Sequence, residues 1–377
     1  MSNKKDPLIS VITPYYNPKE EHFKDAVNSV ITQSYENWEL IIVNDGSNKQ
    51  STEFLIKLIK DLNDPRIRLI HLESNYGTSY AKNTGVENTK GEIITFLDSD
   101  DLHLPWYYEG IVSFFTNNTD CSIMASSEPY IFSFFNIKRM LIPNHAGWFI
   151  KEKNHLAFVL DESIKSKLIM VTTPRLAIKK EVFSRIKFDN ELKTDEDCDL
   201  CLQILNQKDL LNKTYVYPDF GYLYRIYSSR NRLTQRTRML YESKLKILSK
   251  YTDKNLIAYK ILERWKNGDS NWRFCHYLSE YTKDKSLVNY TKSIFWNSKS
   301  RKEKVQGIRA LLNLIITYNI FPSIFSTDYH HLKKVLFKKN AIDKTKEIKW
   351  RLTKYYNSCN NEDTKQLLTN TFKKIIF

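Results

Sequence analysis

Glycine is scarce in this sequence, and its scarcity argues against long flexible linkers. Only 9 of the 377 residues are glycine, and no low-complexity stretch interrupts the chain. Apolar residues make up 41% of the chain, yet no apolar run is long enough to span a bilayer. We therefore expect a soluble protein, and its length exceeds that of one usual domain.

Cysteine is also scarce, and the five cysteines are scattered rather than spaced as a disulfide framework. The first residues, MSNKKDPLIS, lack the apolar segment of a secretion signal, so we expect a cytoplasmic location. Cys198 and Cys201 form a C-x-x-C without a second pair, which predicts buried packing rather than zinc or redox chemistry. His330 and His331 lack a partner cluster and are given no role.

The excess of basic residues is confined to the last third of the chain. Residues 1–235 carry a net charge of −3, whereas residues 236–377 carry +18. Strand patterns also give way to helical patterns near residue 240. We therefore predict one domain over residues 1–235, which carries the motifs below, and a basic, mainly helical domain over residues 236–377.

The first hundred residues alternate short apolar runs with helical patterns. The apolar runs are Leu8–Thr13, Glu39–Val43, Ile67–Leu72 and Ile93–Leu97. The segments between them place apolar residues on one helical face or, after Thr78, form a short polar helix. This alternation predicts an α/β fold with right-handed crossovers and a parallel sheet covered on both faces.

Three carboxylates, Asp98, Asp100 and Asp101, follow the fourth apolar run in the stretch GEIITFLDSDDLHLP. Ligands of parallel sheets bind beyond the carboxyl ends of the strands, where Pro14–Tyr16 and Asp45 are also expected. Neighbouring carboxylates repel one another unless a cation lies between them. Asp98-Ser99-Asp100 therefore predicts either a solvated acidic turn or a site for a hard divalent cation.

Five segments occur in a specific order and spacing over roughly residues 8–235. They are ISVITPYYNP, WELIIVNDGSNKQST, NYGTSYAKNTGV, GEIITFLDSDDLHLP and KFDNELKTDEDCDLCLQI. Each is weak alone, but the set closely resembles the family 2 glycosyltransferases, nucleotide-sugar-dependent enzymes with the fold known as GT-A. The resemblance implies a Rossmann-like, mostly parallel sheet flanked by helices, followed here by the mainly helical C-terminal domain.

The resemblance implies a nucleotide-sugar site and a metal site. The residues that would bind the nucleotide sugar are Pro14, Tyr16, Asp45, Lys82, Asp98 and Arg225. Pro14 and Tyr16 would contact the nucleobase, and Asp45 would accept a hydrogen bond from a base N–H. An Asx turn in NDGS is a second role expected for Asp45.

Lys82 stands where the family usually has arginine, so it would lie near the base or phosphates without the planar fork of arginine. Asp100 would bind a divalent metal, Mn²⁺ or Mg²⁺, directly. Asp98 would lie beside the metal, on a bound water or on the ribose. These assignments follow from the resemblance alone.

The acidic turn TDEDCDLC is implied to carry the catalytic residues. Glu196 and Asp197 match the acidic pair of the family, and Asp197 would deprotonate the acceptor hydroxyl as it attacks the anomeric carbon. Such a direct displacement inverts the anomeric configuration. Thr194–Asp197 also fits a capping box, so a well-capped helix start is the alternative interpretation.

One position departs from the family pattern. Many relatives carry Y-R-x-H after the acidic pair, whereas this chain has Tyr227 where histidine is common. Arg225, Arg230 and Arg232 would then neutralise the phosphates from a closing loop. The sequence leaves open whether a metal or these arginines stabilise the leaving diphosphate.

The resemblance implies an inverting glycosyltransferase that moves a sugar from a nucleotide-diphosphate donor, expected to be a UDP-sugar. The acceptor would be a hydroxyl of a glycan or lipid-linked glycan in bacterial surface polysaccharide synthesis. A nucleotidyltransferase is one alternative, although TPYYNPKEE is not its Gly-rich basic loop. A degenerate glycan-binding or scaffold subunit is another, although Asp45, Asp100 and Asp197 are retained.

The +18 charge of residues 236–377 allows three interpretations. No nucleic-acid recognition motif is present, so we expect no nucleic-acid partner. A solvated helical face is the second interpretation. The third is peripheral docking on the anionic inner membrane face through lysine-flanked apolar helices such as Leu311–Phe325. Vesicle sedimentation that did not rise with lipid negative charge would exclude docking and leave a packing or oligomerisation domain.

Overall fold

The computed structural model describes most of the predicted motif-bearing part and the end of the chain. The described residues are 6–126, 130–133, 140–141, 150–152, 155–157, 172–217, 219, 221–226, 243, 246–247, 249–253 and 345–376. Several sequence predictions lie outside them, namely those for Tyr227, Arg230, Arg232, Leu311–Phe325, His330 and His331. Among the described residues, no helix is both long and apolar enough to cross a bilayer.

Nine described strands form the main sheet. In spatial order they are β3 (Ile67–Leu72), β2 (Trp38–Asp45), β1 (Ile9–Tyr15), β4 (Ile93–Phe96), β11 (Leu176–Lys179), β6 (Ile123–Ser126), β12 (Thr214–Tyr217), β10 (His155–Ala157) and β9 (Ile150–Glu152). All run in one direction except β11 and β10, which are antiparallel to their neighbours. The predicted α/β fold with a mostly parallel sheet is confirmed.

Helices cover both faces of the sheet. They are α1 (Glu20–Ile31), α2 (Lys49–Leu62), α3 (Thr78–Glu87), α4 (Tyr107–Asn117), α5 (Glu196–Leu205) and α6 (Lys208–Asn212). The alternation of side chains along β2 shows how the faces divide. Leu40 and Ile42 belong to the core that contains Phe23 of α1, whereas Ile41 and Val43 pack with Ala81 of α3.

A smaller second sheet lies beside the acidic cluster. Its order is β5 (Leu102–His103), β13 (Tyr222–Ile226), β7 (Tyr130–Ser133) and β8 (Met140–Leu141). Tyr222 pairs with His103 and Leu223 pairs with Leu102 in the antiparallel register of β13 and β5. This pairing brings the residues after Gly221 directly against the chain that follows Asp101.

The end of the chain forms two helices, α7 (Thr345–Ser358) and α8 (Glu362–Ile376). Their apolar residues share one buried cluster with the second sheet, composed of Ile348, Leu352, Leu368, Phe372, Leu102, Leu104 and Leu223. The helical character predicted for this end of the chain is confirmed. The domain boundary at residue 235 remains a prediction, and these contacts cross it.

Candidate active site

The parallel register brings the ends of the first, second and fourth strands to one edge of the sheet. Tyr15 at the end of β1 pairs with Asn44 of β2. The Leu97 N–H, just after β4, donates to the Ile12 carbonyl of β1, and Asp98 leaves the sheet one residue later. Pro14 and Asp45, at the ends of β1 and β2, and the acidic cluster after β4 therefore lie at the same edge of the sheet, as the sequence predicted.

Asp45 is buried, and its carboxylate holds the loop that opens α3. Its two oxygens accept hydrogen bonds from the backbone N–H groups of Tyr76, at 2.8 Å, and Gly77, at 2.9 Å. Burial raises the pKa of Asp45, although these two donors and the charge of Lys193 oppose the rise. The predicted contact of Asp45 with a base N–H remains a prediction.

Asp45 does not form the expected Asx turn in NDGS, and the Asn44 side chain instead closes this turn through the N–H three residues on. The Asn44 side-chain oxygen accepts from the Ser47 N–H at 3.1 Å, while Asp45 points to the α3 loop. Gly46 in this turn has φ +63°, and an added Cβ would lie 2.3 Å from the Ser74 carbonyl carbon. Glycine is therefore required where the two loops meet.

Exposed aromatic side chains lie beside this edge. Tyr16 is 51% exposed, while Pro14 before it is half-buried. Tyr76 and Tyr80 are also exposed, with ring centroids 4.8 Å apart. Flat apolar rings with little of their surface covered are suited to stacking on a planar ligand. The predicted contacts of Pro14 and Tyr16 with a nucleobase remain predictions.

The three carboxylates after β4 differ in their surroundings. Asp98 and Asp100 are half-buried, whereas Asp101 is fully buried. Asp101 accepts hydrogen bonds from the Tyr222 hydroxyl and from the Arg225 N–H, the latter at 2.7 Å. Burial and the charges of Asp100 and Asp98 raise the pKa of Asp101 well above its usual range. Asp101 therefore joins the cluster to β13 and leaves the other two carboxylates at the edge.

Arg225 is also buried, and its contacts hold the acidic loop in place. Its Nε donates to the Asp100 carbonyl oxygen at 2.7 Å, and its Nη2 donates to Asp25 Oδ2 at 2.9 Å. A charge this deeply buried needs an ionised partner, and Asp25 of α1 supplies one. The predicted contact of Arg225 with donor phosphates is not tested by these bonds and remains a prediction.

Lys82 extends from α3 toward the acidic turn and is only 2% exposed. Its Nζ donates to Thr173 Oγ1 at 2.7 Å and to Glu196 Oε1 at 2.9 Å. Burial alone would lower the pKa of Lys82, but the charges of Glu196, Asp98 and Asp197 raise it overall. Four residues selected from the sequence, Lys82, Asp98, Glu196 and Asp197, thus lie within one electrostatic cluster.

The predicted capping box over Thr194–Asp197 is wrong. Helix α5 begins at Glu196 after Asp195, which adopts a left-handed conformation with φ 59° and makes no side-chain capping bond. Thr194 Oγ1 is buried and has no hydrogen-bond partner among the described residues. The N-cap is therefore Asp195, one residue later than a capping box with Thr194 as N-cap requires.

Glu196 and Asp197 are adjacent, but their environments push their proton affinities apart. Burial favours neutral Glu196, yet the Lys82 charge and hydrogen bond outweigh it, so the pKa of Glu196 is lowered. Burial and the Glu196 charge raise the pKa of Asp197 to about 8, although Lys82 opposes the rise. One carboxylate is therefore held ionised by a lysine, while its neighbour can take up and release a proton near neutral pH.

Residues from beyond the predicted boundary at residue 235 contact α5 and the residue that precedes its N-cap. Asp199 is fully buried and accepts from Lys250 Nζ at 2.7 Å and from the Tyr251 hydroxyl at 2.9 Å. The Thr194 N–H donates to Ser243 Oγ at 3.1 Å. Cys198 and Cys201 are buried and form no disulfide, which confirms the packing predicted for this C-x-x-C.

Asp98 and Asp100 suit a divalent cation by their chemistry, because hard cations take carboxylate oxygens. Among the described residues, no group of three His, Cys, Asp or Glu side chains could hold a metal by itself. Ions such as Mg²⁺ are commonly held by one or two carboxylates together with the phosphates of a ligand. The pair therefore fits a cation that is completed by a phosphate-bearing ligand.

Three residues that support the site were not selected from the sequence. In the sequence, Asp25 cannot be distinguished from the other polar residues of α1. Thr173 precedes a proline in a segment that contains no recognised motif. Tyr222 lies two residues before the Tyr224-Arg225 pair, and this nearness is the one sequence feature that could have indicated it. Each acts through a contact more than 90 residues away in sequence, which local patterns do not reveal.

The first part of the chain matches a known family. Residues 10–186 match the family model described as Glycosyl transferase family 2. This segment contains β1 to β4 and the acidic cluster after β4, and it ends before the acidic turn. Residues 10–186, a little less than half of the chain, are therefore similar to family 2 glycosyltransferases.

Individual relatives match different lengths of the chain. MJ1057, an uncharacterized glycosyltransferase of Methanocaldococcus jannaschii, is 27% identical over 261 residues, or 69% of this chain and 80% of that protein. TuaG, a putative teichuronic acid biosynthesis glycosyltransferase of Bacillus subtilis, is 44% identical over 101 residues. That match spans 27% of this chain and only 38% of TuaG.

Among solved structures, that of TarS from S. aureus resembles this chain with a TM-score of 0.50 and 19% sequence identity. The resemblance covers 82% of this chain and 49% of the TarS chain. At this level of identity it supports the fold alone.

Proposed function

We propose that this chain is an inverting glycosyltransferase that transfers a sugar from a nucleotide-diphosphate donor, a UDP-sugar, to a hydroxyl of a glycan or lipid-linked acceptor. The observation that carries the proposal is the cluster of Asp98, Lys82, Glu196 and Asp197 at the ligand-binding edge of a sheet whose first strands match the family 2 model. The match to TuaG supports polysaccharide synthesis as the setting.

The proposed roles follow the position of each side chain. Pro14 and Tyr16 contact the nucleobase beside Asp45, where the exposed rings lie. Asp100 and Asp98 hold Mn²⁺ or Mg²⁺, which would neutralise charge on the leaving diphosphate. Asp197 accepts the proton of the acceptor hydroxyl, and inversion follows because a single displacement needs no covalent intermediate.

The experiment that tests the proposal is a donor panel. Purified protein is mixed with individual UDP-, GDP- and dTDP-sugars and with Mn²⁺ or Mg²⁺, and release of the nucleotide diphosphate is measured. We expect release from at least one UDP-sugar. If no donor is turned over with or without candidate glycan acceptors, the proposed activity is wrong and a non-catalytic role becomes the better explanation.

Replacing Asp100 should test the metal. We expect Asp100→Ala to abolish transfer, because the cation would lose its direct carboxylate ligand next to the diphosphate. A chelator should have the same effect on the wild type, reversed by added Mn²⁺ or Mg²⁺. Ser99→Ala, which changes the same loop without removing a charge, is the control. Full activity of the wild type in excess chelator would refute the metal assignment.

The pKa of Asp197 predicts a pH dependence. A carboxylate acts as a base only when ionised, and burial together with Glu196 raises this pKa to about 8. We therefore expect kcat/KM to fall as the pH drops through about 8, because Asp197 becomes protonated in the free enzyme. Steady-state kinetics from pH 6 to 9.5 with a non-titrating acceptor measures this limb. A rate that is flat across this range would contradict the assignment of Asp197 as the base.

A further inference from the structure

We propose that Lys82 is a positioning residue: together with Thr173 it anchors Glu196 and thereby holds the first turn of α5, which presents Asp197 to the acceptor. This inference rests on the proposed function, since it takes Asp197 as the base. It differs from the sequence prediction, in which Lys82 was a ligand of the base or phosphates.

The contacts of Lys82 are made to the protein. Its Nζ lies 2.7 Å from Thr173 Oγ1 and 2.9 Å from Glu196 Oε1. The same atom lies 5.4 Å from the ring centroid of Phe188 and 5.9 Å from that of Phe96, within the range of a cation–π interaction. Two hydrogen bonds and two aromatic rings enclose the ammonium group, so little of it can reach a nucleotide.

These contacts join three elements that are distant in sequence. Lys82 is in the second turn of α3, Thr173 is in the short 3₁₀ turn Thr173–Arg175, and Glu196 is the first residue of α5. The start of α3 is itself held by Asp45 through the Tyr76 and Gly77 N–H groups. Helix α3 therefore links the edge beside Asp45 to the acidic turn that carries Asp197.

The acidic turn needs such an anchor because its own cap is absent. Asp195 makes no side-chain capping bond, and Thr194 does not cap either. The first turn also carries Glu196, Asp197 and Asp199. Their negative charges interact favourably with the positive N-terminal end of the helix dipole, but they repel one another. A lysine on Glu196 fixes the direction of this turn and removes part of that repulsion.

The charges around the pair predict how the anchor affects catalysis. Lys82 faces Glu196, Asp98 and Asp197, and Asp197 faces Glu196, Lys82 and Asp195. The lysine keeps Glu196 ionised, and it lowers the pKa of Asp197 relative to a site without the lysine. Removing only the lysine charge should therefore shift proton uptake by the carboxylate pair to higher pH, whereas removing the Glu196 charge as well should reverse that shift.

The test compares Lys82→Met, Lys82→Arg and the double variant Lys82→Met with Glu196→Gln. Lys180→Met is the matched control, because Lys180 Nζ donates to the Thr89 carbonyl at 2.6 Å, beyond the far end of α3. For each protein, kcat, donor KM and the kcat/KM pH profile are measured, and UDP affinity is measured by calorimetry. Thermal unfolding shows the fraction folded.

We expect Lys82→Met to lower kcat about 10- to 100-fold, the scale of a misplaced catalytic group, while donor KM and UDP affinity stay within about twofold of wild type. The acid limb of the pH profile should move to higher pH in Lys82→Met, return toward wild type in the double variant and stay in place in Lys82→Arg. A raised KM and weakened UDP binding with unchanged kcat would overturn the proposal and make Lys82 a donor ligand. Lower thermal stability with a normal rate per folded molecule would also overturn it.

A readout without turnover separates this proposal from the proposed function. The Asp and Glu side-chain carboxyls are labelled with ¹³C, and the Glu196–Asp197 pair is titrated by NMR in wild type and Lys82→Met. We expect the apparent pKa of the pair to rise in the variant. An unchanged titration would refute the anchor even in an active enzyme, whereas an inactive wild type with the expected shift would refute the activity alone.

Discussion

Asp197→Asn should lower turnover by about two to four orders of magnitude, the usual contribution of a positioned acid–base group. Asparagine has nearly the same shape, and its oxygen can still accept the bond that Asp197 Oδ1 accepts from the Cys198 N–H at 2.8 Å. What it loses is the ability to take up a proton. Donor KM and UDP affinity should therefore change little, and rapid-quench assays of a single turnover measure the chemical step directly.

Asp195→Asn is the matched control for Asp197→Asn. It removes one charge from the same turn, and asparagine tolerates the left-handed conformation that Asp195 adopts, with φ 59°. We expect its turnover to stay within about tenfold of wild type. If Asp197→Asn is fully active while Glu196→Gln is inactive, Glu196 is the base and the two roles have been assigned the wrong way round.

The location of the site could be predicted from sequence for two reasons. The pattern of a buried strand is local in sequence, and all parallel α/β sheets bind ligands at the same edge. Runs such as Ile93–Leu97 fit a buried strand, and parallel strands bring their carboxyl ends to one edge. Asp98 and Asp45 therefore could be placed at the same edge without knowledge of any contact. The antiparallel strand β11 has no counterpart in the sequence prediction, because its place between β4 and β6 depends on pairing with strands that are distant in sequence.

The partners within the site could not be predicted in this way. Lys82 meets Thr173 and Glu196 across 91 and 114 residues, and Arg225 meets Asp25 across 200. The mistaken capping box has a related cause, because Thr194–Asp197 has the right residue types. In the fold the N-cap is Asp195, in a left-handed conformation, and residue types at four positions do not determine which residue takes that conformation.

Phe372→Ala should lower the free energy of unfolding by about 3–5 kcal/mol, the usual cost of removing a buried phenylalanine side chain. Phe372 is fully buried in α8, in the cluster that contains Leu102, Leu104 and Leu223. Leu102 immediately follows Asp101, so the cavity would open in the same apolar cluster that supports the acidic loop. Denaturant unfolding followed both by circular dichroism and by loss of donor turnover measures the effect on the whole chain and on the active site.

Trp350→Ala is the control for Phe372→Ala, because Trp350 lies on the neighbouring helix α7 but is 62% exposed. We expect its free energy of unfolding to stay within about 0.5 kcal/mol of wild type. The comparison also tests the boundary predicted at residue 235. If Phe372→Ala leaves the midpoint for loss of turnover unchanged, the first part of the chain folds independently of the final helices. A parallel fall of both midpoints would instead mean that the final helices complete the fold that carries Asp98 and Asp100.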